Sequence, residues 1–310
     1  MPAETFRARF TGHETFPLRQ LWLPKYTQYQ QDLLSAGYTK FPDAEEAIVE
    51  LGVGKNMVAA MRFWAETAGI SKPNSLELTP LGELLFSNGS CADLRGLDEN
   101  CENDATQWLL HWKLSSVPEA FTGSWFLFNC VNSPTADRDS LLKSLKAFCE
   151  EKTIKASDAT LKRCIEVVLR SYLPKQTGKG HMEDFIEPLL AELDLLTPIT
   201  RDSFEFHRSA HPSLPDGIFA FALMEYWQRL PNAGATLDFN RIAFDYGSPG
   251  RVFKLDPKSV DMRLNRLEAL TDGQLVWTEQ AGLRQVVRSR DALRRVEAFK
   301  VALLKKAYSE

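Results

Sequence analysis

The stretch Asp43–Ile70, DAEEAIVELGVGKNMVAAMRFWAETAGI, constrains this chain more than any other. Asp43 is suited to cap a helix, and Glu46, three residues on, to complete a capping box. Ala47, Ile48 and Leu51 share one helical face, and Gly52 is placed to end the helix. The turn Gly52-Val53-Gly54 leads into a second helix in which Val58, Met61 and Ala65 face inward. Lys55, Ala59, Arg62 and Glu66 face outward, with Asn56 near the leading end. Small and polar groups on that outer face are what a helix needs to enter a major groove. Ser75-Leu76-Glu77-Leu78 then alternates as a strand, and Thr79-Pro80 opens a further helix. Helix, turn, helix, short strand, helix is the winged-helix order, which serves nucleic-acid contact and protein docking alike.

A chain of 310 residues with 44% hydrophobic and 25% charged content has room for two or three units with cores of their own. It contains no run of 18 apolar residues, and MPAETFRARF lacks the apolar centre of a signal peptide, so a cytoplasmic protein with no membrane partner is expected. Its five cysteines never take C-x-x-C spacing, which argues for buried thiols rather than zinc or a disulfide framework. The net charge of −4 is unevenly spread. Residues 251–310 carry 13 Lys and Arg against 8 Asp and Glu, a basic region that suits local contact with phosphate.

The opening segment FTGHETFPLRQLWLPK crowds His13, Glu14, Arg19 and Lys25 among aromatic residues, a mixture able to supply acid–base chemistry or metal ligands. Residues 105–150 are aromatic-rich and read as a buried helical connector. In Asp158–Tyr172, Leu161, Ile165, Val168, Leu169 and Tyr172 form an apolar side, with Lys162, Glu166 and Arg170 four apart opposite them. The polar loop Pro174–His181 could approach a phosphate but lacks P-loop spacing. A hairpin is expected around Arg201-Asp202-Ser203. Phe244–Ser259 forms a turn presenting Arg251 and Lys254, with Asp256 placed to cap the next helix. Strands at 275–277 and 283–287 and a basic closing helix complete the chain. The expected fold is mainly α with small β-hairpin wings, two or three winged-helix-like units joined by a helical connector. Its divisions are 1–90 (arm and winged helix), 91–153 (connector), 154–212 (second unit) and 213–310 (C-terminal winged helix).

The blocks FTGHETFP, LGVGKNMV with RFW, LKRCIEVVLRSY, and SPGRVFKLD with TDG and AGLRQ together resemble one family. It is a domain family of unknown function in bacterial defence islands that includes the SspB-type DNA nickase of single-strand DNA phosphorothioation systems. The resemblance implies a DNA-acting subunit working beside a cysteine desulfurase, an ATPase and a sulfurtransferase-like enzyme. It also implies nicking that depends on a metal, with Mg²⁺ the expected cofactor, to open a strand for sulfur incorporation. The matched blocks contain His13, Glu14, Arg19, Lys55, Asn56, Arg251, Lys254 and Asp256. In the LKR-x-x-E block, Cys164 stands where a charged residue is usual for the family.

No established nuclease motif is legible in the residues themselves. His13, Glu14 and Arg19 are the catalytic candidates. Glu14 is the first candidate metal ligand and Asp256 the second, although helix capping also accounts for Asp256. Lys55, Asn56, Arg62, Arg251 and Lys254 are the candidates for DNA contact. The alternative function is a non-catalytic DNA-binding adaptor that recruits the modification enzymes.

Overall fold

Gly52 adopts φ 57°, the left-handed value that ends a helix without a Cβ penalty, and so fixes the turn between the first matched pair of helices. The computed structural model describes residues 6–88, 95–174, 188–231, 233–280 and 282–310. The loop expected to approach phosphate falls mostly outside those residues. The first half contains α1 (Trp22–Ser35), α2 (Ala44–Leu51), α3 (Lys55–Thr67), α4 (Pro80–Phe86), α5 (Asp104–Ser115) and α6 (Thr122–Asn129). Next come β1 (Thr135–Asp137), α7 (Arg138–Glu151), α8 (Asp158–Tyr172), β2 (Leu196–Pro198) and β3 (Ser203–Phe206). The remainder is α9 (Asp216–Arg229), β4 (Thr236–Asp238), α10 (Phe239–Phe244), α11 (Pro249–Val252), α12 (Pro257–Leu270), β5 (Leu275–Gln280), β6 (Leu283–Arg288), α13 (Arg290–Arg294) and α14 (Val296–Ala307).

The protein is mostly helical, with two small antiparallel sheets ordered β1-β3-β2 and β4-β6-β5. Both expected hairpins form, β2–β3 and β5–β6, but each gains a three-residue strand from upstream. Winged order is not reproduced at the N-terminal unit: the strand expected at Ser75–Leu78 shrinks to a single bridge, Ser71 with Leu78. The capping box also fails. Asp43 makes no side-chain cap bond, and Glu46 instead accepts a hydrogen bond from the Tyr38 hydroxyl at 3.1 Å. Thr79 does cap α4, with Pro80 in its first turn.

The four stretches delimited from the sequence share one hydrophobic core running from Phe10 to Ala307. Its centre is α5 and α6. Trp108, Trp112, Trp125 and Phe128 are fully buried there, as the aromatic connector predicts. His111 on α5 pins neighbouring elements: its Nδ1 pairs with the Tyr172 hydroxyl of α8 at 2.8 Å and its Nε2 with the Val252 carbonyl of α11 at 2.9 Å. Cys101, Cys149 and Cys164 are buried free thiols and Cys130 is half-buried. Among the described residues no helix is long and apolar enough to cross a membrane.

Candidate nucleic-acid interface

The arm is fastened to the start of α6 by two bonds, Arg9 N–H to Thr122 Oγ1 (2.7 Å) and Thr122 N–H to the Arg9 carbonyl (3.1 Å). That anchorage sets up a tight loop at Gly12–Phe16. Gly12 sits at φ 111°, and a Cβ there would lie 2.5 Å from the Phe63 ring, so only glycine fits. Glu14 and Thr15 follow at φ 46° and 66°, two successive left-handed residues, one of them β-branched. Such strain persists only where the surroundings hold it. Here the Arg170 guanidinium donates to the Thr15 carbonyl, and Trp64 Nε1–H donates to the Phe16 carbonyl at 3.1 Å.

His13 is the third clamp, and this corrects its assignment as an acid–base catalyst. Only 4% exposed, it lies edge-on to Phe63 and Phe121. Its Nε2–H donates to the Phe10 carbonyl (3.1 Å), and its Nδ1 accepts from the Thr15 N–H (3.1 Å). Burial pushes its pKa down to about 4, so the imidazole is neutral and both nitrogens are committed to loop geometry. Glu14 remains exposed at the loop apex. Arg19 is half-buried, its guanidinium 5.2 Å from the Trp22 ring centroid and 5.8 Å from that of Phe16.

The second group of candidates is also largely spent. Arg251 donates to the carbonyls of Asn129 (2.6 Å) and Phe244 (2.9 Å) and to Asn132 Oδ1 (2.7 Å) while lying over Tyr246. Lys254 is 4% exposed, its ammonium 3.3 Å from the Val131 carbonyl and 4.6 Å from the Phe206 ring centroid. Burial first, then Arg208 and Arg251, lowers its pKa to about 7. Neither side chain is the outward-facing cation that the turn suggested. Asp256 caps α12, accepting from Ser259 N–H (2.9 Å) and Ser259 Oγ–H (2.6 Å), so helix capping accounts for both its oxygens. The basic C-terminal region is partly paired at the surface, while Lys258, Arg290, Arg294, Arg295 and Lys305 stay exposed with no ion pair among the described residues. Arg284 pairs with Asp261 and Glu279, Lys306 with Asp272, and Lys300 with Glu297.

The GHET loop and the 251–256 segment do not converge. They flank opposite ends of α6, an eight-residue helix about 12 Å long. Glu14 and Asp256 therefore do not make one metal site. Among the described residues no three His, Cys, Asp or Glu side chains gather in a metal-binding group.

A neighbouring surface does gather cations. Thr15 of the strained loop and α8 enclose a cleft of about 390 Å³ lined by Lys162, Arg163, Glu166 and Arg170. The expected i,i+4 pairing along α8 is replaced: Glu166 binds Arg138 of α7 at 2.9 Å. Lys162 and Arg163 are exposed and make no ion pair among the described residues. The sequence did carry a signal for them, a Lys-Arg pair inside a matched block, which its helical periodicity made look like a solvated face. Cys164, next in the block, is fully buried against Gly123, so no charge could occupy that position here. On the other side of the loop, α3 offers Lys55 and Asn56, both exposed and unpartnered among the described residues. Arg62, by contrast, binds Glu66 (2.9 Å) and Asn74 (3.0 Å) and lies over Phe41.

Two solved structures share this fold. A magnesium ion-bound SspB crystal structure aligns with 98% of this chain and 93% of its own, at a TM-score of 0.78 and 24% identity. A second SspB crystal structure aligns with 98% of this chain and 99% of its own, at a TM-score of 0.74 and 23% identity. A comparison with curated protein sequences finds no match. The family model described as "Protein of unknown function (DUF4007)" matches residues 10–308, and the chain belongs to that family.

Proposed function

We propose that this protein is a DNA-acting subunit of a bacterial DNA phosphorothioate modification and anti-phage defence system. The observation that carries this reading is the likeness of fold to SspB along essentially the whole chain. The cations on either side of the clamped loop, Lys55 on α3 and Lys162 with Arg163 on α8, suit it chemically. Ammonium and guanidinium groups held on rigid helices give a phosphate backbone fixed, exposed partners. In this reading the protein nicks a strand for sulfur incorporation, working with a cysteine desulfurase, an ATPase and a sulfurtransferase-like enzyme.

The magnesium bound by the structural neighbour makes Mg²⁺ the metal to test. The described residues do not assemble a ready cage for it, since Asp256 is spent on a helix cap and Glu14 belongs to no group of three His, Cys, Asp or Glu side chains.

A second reading, a DNA-binding adaptor that recruits the modification enzymes, is favoured by one observation. His13 and Asp256 use their polar atoms to hold their own backbone. Supercoiled plasmid incubated with the protein and Mg²⁺ separates the two. Nicking predicts conversion to open circles; the adaptor predicts a mobility shift with the plasmid still supercoiled. In either case the double change Lys162→Ala with Arg163→Ala should weaken binding and lower the slope of log K against log salt by roughly 2. An unchanged slope would remove α8 from the interface, and no DNA binding at low salt would end both readings.

A further inference from the structure

The outer face of α3 does not meet solvent as a bare helix. It lines an apolar cleft of about 410 Å³ closed by the arm, α1 and the segment leading into α2. Its walls are aromatic. The Tyr26 and Phe41 rings stack with centroids 6.2 Å apart and an interplanar angle of 22°. Two guanidinium groups lie over rings lining the same cleft, Arg62 at 4.8 Å from the Phe41 centroid and Arg9 at 4.5 Å from that of Phe63. Small residues, among them Ala59 and the obligatory Gly12, leave the space open.

Polar groups with unused capacity border this apolar volume. Tyr29 is 4% exposed, and its buried hydroxyl has no hydrogen-bond partner among the described residues. Leaving such a group unmade costs about 1–3 kcal/mol, which a fold does not ordinarily tolerate without a reason. Glu66 uses Oε1 for Arg62 and for the Asn74 N–H, whereas Oε2 has only Arg9 at 3.9 Å. At the other end of the cleft, α3 begins at Gly54, which has no side chain to cap it. The Lys55 and Asn56 N–H groups are left over beside the Lys55 ammonium, an arrangement that accepts a phosphate.

From this juxtaposition we infer that the cleft binds an unstacked nucleobase of a single DNA strand, with a neighbouring phosphate of the same strand on the N-terminus of α3. Flat aromatic walls and stacked guanidiniums fit the faces of a base. A free phenol and a half-used carboxylate fit its edge, which carries both donors and acceptors. Lys55 to Glu66 spans about 16 Å of helix, more than one nucleotide reaches from phosphate to base edge, so the two ends take the base and the phosphate of adjoining nucleotides. A basic flat ligand of another kind would leave the cationic end unused. The inference rests on the DNA-acting reading and adds to it a site for one extruded base.

The test uses the full chain and a 5′-labelled single-stranded oligonucleotide carrying 2-aminopurine at one position. Anisotropy reports strand binding, and 2-aminopurine fluorescence reports whether the base enters an aromatic site. The expected result is binding accompanied by a change in the base signal. Ala59→Trp, a substitution at an exposed position on the cleft wall, should abolish that change and weaken binding roughly tenfold while leaving the salt slope unchanged. Circular dichroism confirms that this variant is folded, and Glu66→Gln, which keeps the shape, should reduce the base signal independently. Strand binding with no base signal, or with a signal that Ala59→Trp leaves intact, overturns the cleft assignment while the DNA-acting reading stands. Absence of strand binding overturns both. Free 2-aminopurine nucleotide binding as tightly as the strand would overturn assignment to a DNA strand in favour of a free nucleotide.

Discussion

Lys254 shows what a sequence hides at the scale of one residue. In GSPGRVFKLD the glycines and proline announce a turn, and a lysine in a turn ordinarily faces water. Here the turn winds into the short α11, and Lys254 follows it at φ 51° with its side chain against Phe206. Residue types report a turn but not which way its side chains go. That depends on Asn129 and Val131, more than a hundred positions away. The buried ammonium makes a signed prediction. An ordinary lysine keeps its proton to about pH 10, whereas this one is held near 7. Between those values the unfolded chain binds the extra proton, so stability rises as pH increases from 7 towards 10. Below pH 7 the full penalty is present. Lys254→Met, of similar length and apolar, should therefore stabilise the protein by roughly 2–4 kcal/mol at pH 7, with the gain vanishing near pH 10. Urea midpoints of both proteins at pH 7, 8.5 and 10 measure this. A gain independent of pH would mean that Lys254 is not the titrating group.

At the scale of elements, what was legible was whatever local chemistry decides. The α2–α3 pair turns where its glycines say, although no side chain caps either helix, because a C′ glycine and an apolar face act over a few residues. Strands β1 and β4 were not legible. Each is three residues long and exists only because a distant strand offers it a ladder, Ser203–Phe206 for one and Leu283–Arg288 for the other. The reverse holds for Ser75–Leu78, whose alternation is strand-like but which finds no partner beyond one bridge. Close packing of α6 on α8 was also invisible, and Gly123 is its hinge point. A Cβ on Gly123 would overlap Cys164 Sγ and come within 3.2 Å of a Val168 methyl. Gly123→Ala should therefore cost about 1–3 kcal/mol by overpacking. Cys164→Ala should relieve it, making the double variant more stable than the sum of the single effects predicts. Chemical denaturation of the four proteins closes the cycle, and strict additivity would show that the two positions do not touch.

For the molecule as a whole, the aromatic connector anticipated the centre of the core but not its reach. Read along the chain, residues 105–150 link one unit to others; in space they are what the rest packs around. His111 carries that arrangement, since one imidazole joins α5 to both α8 and α11. Nothing around it in the sequence HWK marks it for this, because its two partners are brought in only by the tertiary fold. Full burial, with both nitrogens committed, drives its pKa down to about 3. The sign follows from the unfolded value near 6.5: as pH falls below 6.5 the unfolded chain takes up a proton that the fold refuses, and stability is lost progressively towards pH 3. At pH 4 this one group costs on the order of 3 kcal/mol, a large fraction of the 5–15 kcal/mol that holds an ordinary domain together. His211, also lowered chiefly by burial, adds in the same direction. The protein should accordingly lose stability between pH 6.5 and 4 in a single transition involving all three parts of the chain that His111 joins. His111→Leu removes the titration but leaves the Tyr172 hydroxyl and Val252 carbonyl without their partner, so it should be less stable than wild type at pH 7 by about 2–4 kcal/mol. Its acid limb should nevertheless be shallower. Urea midpoints at pH 7, 6, 5 and 4.5 decide the matter: parallel curves for the two proteins would show that the acid sensitivity arises elsewhere, whereas curves that converge at low pH would place it on this imidazole.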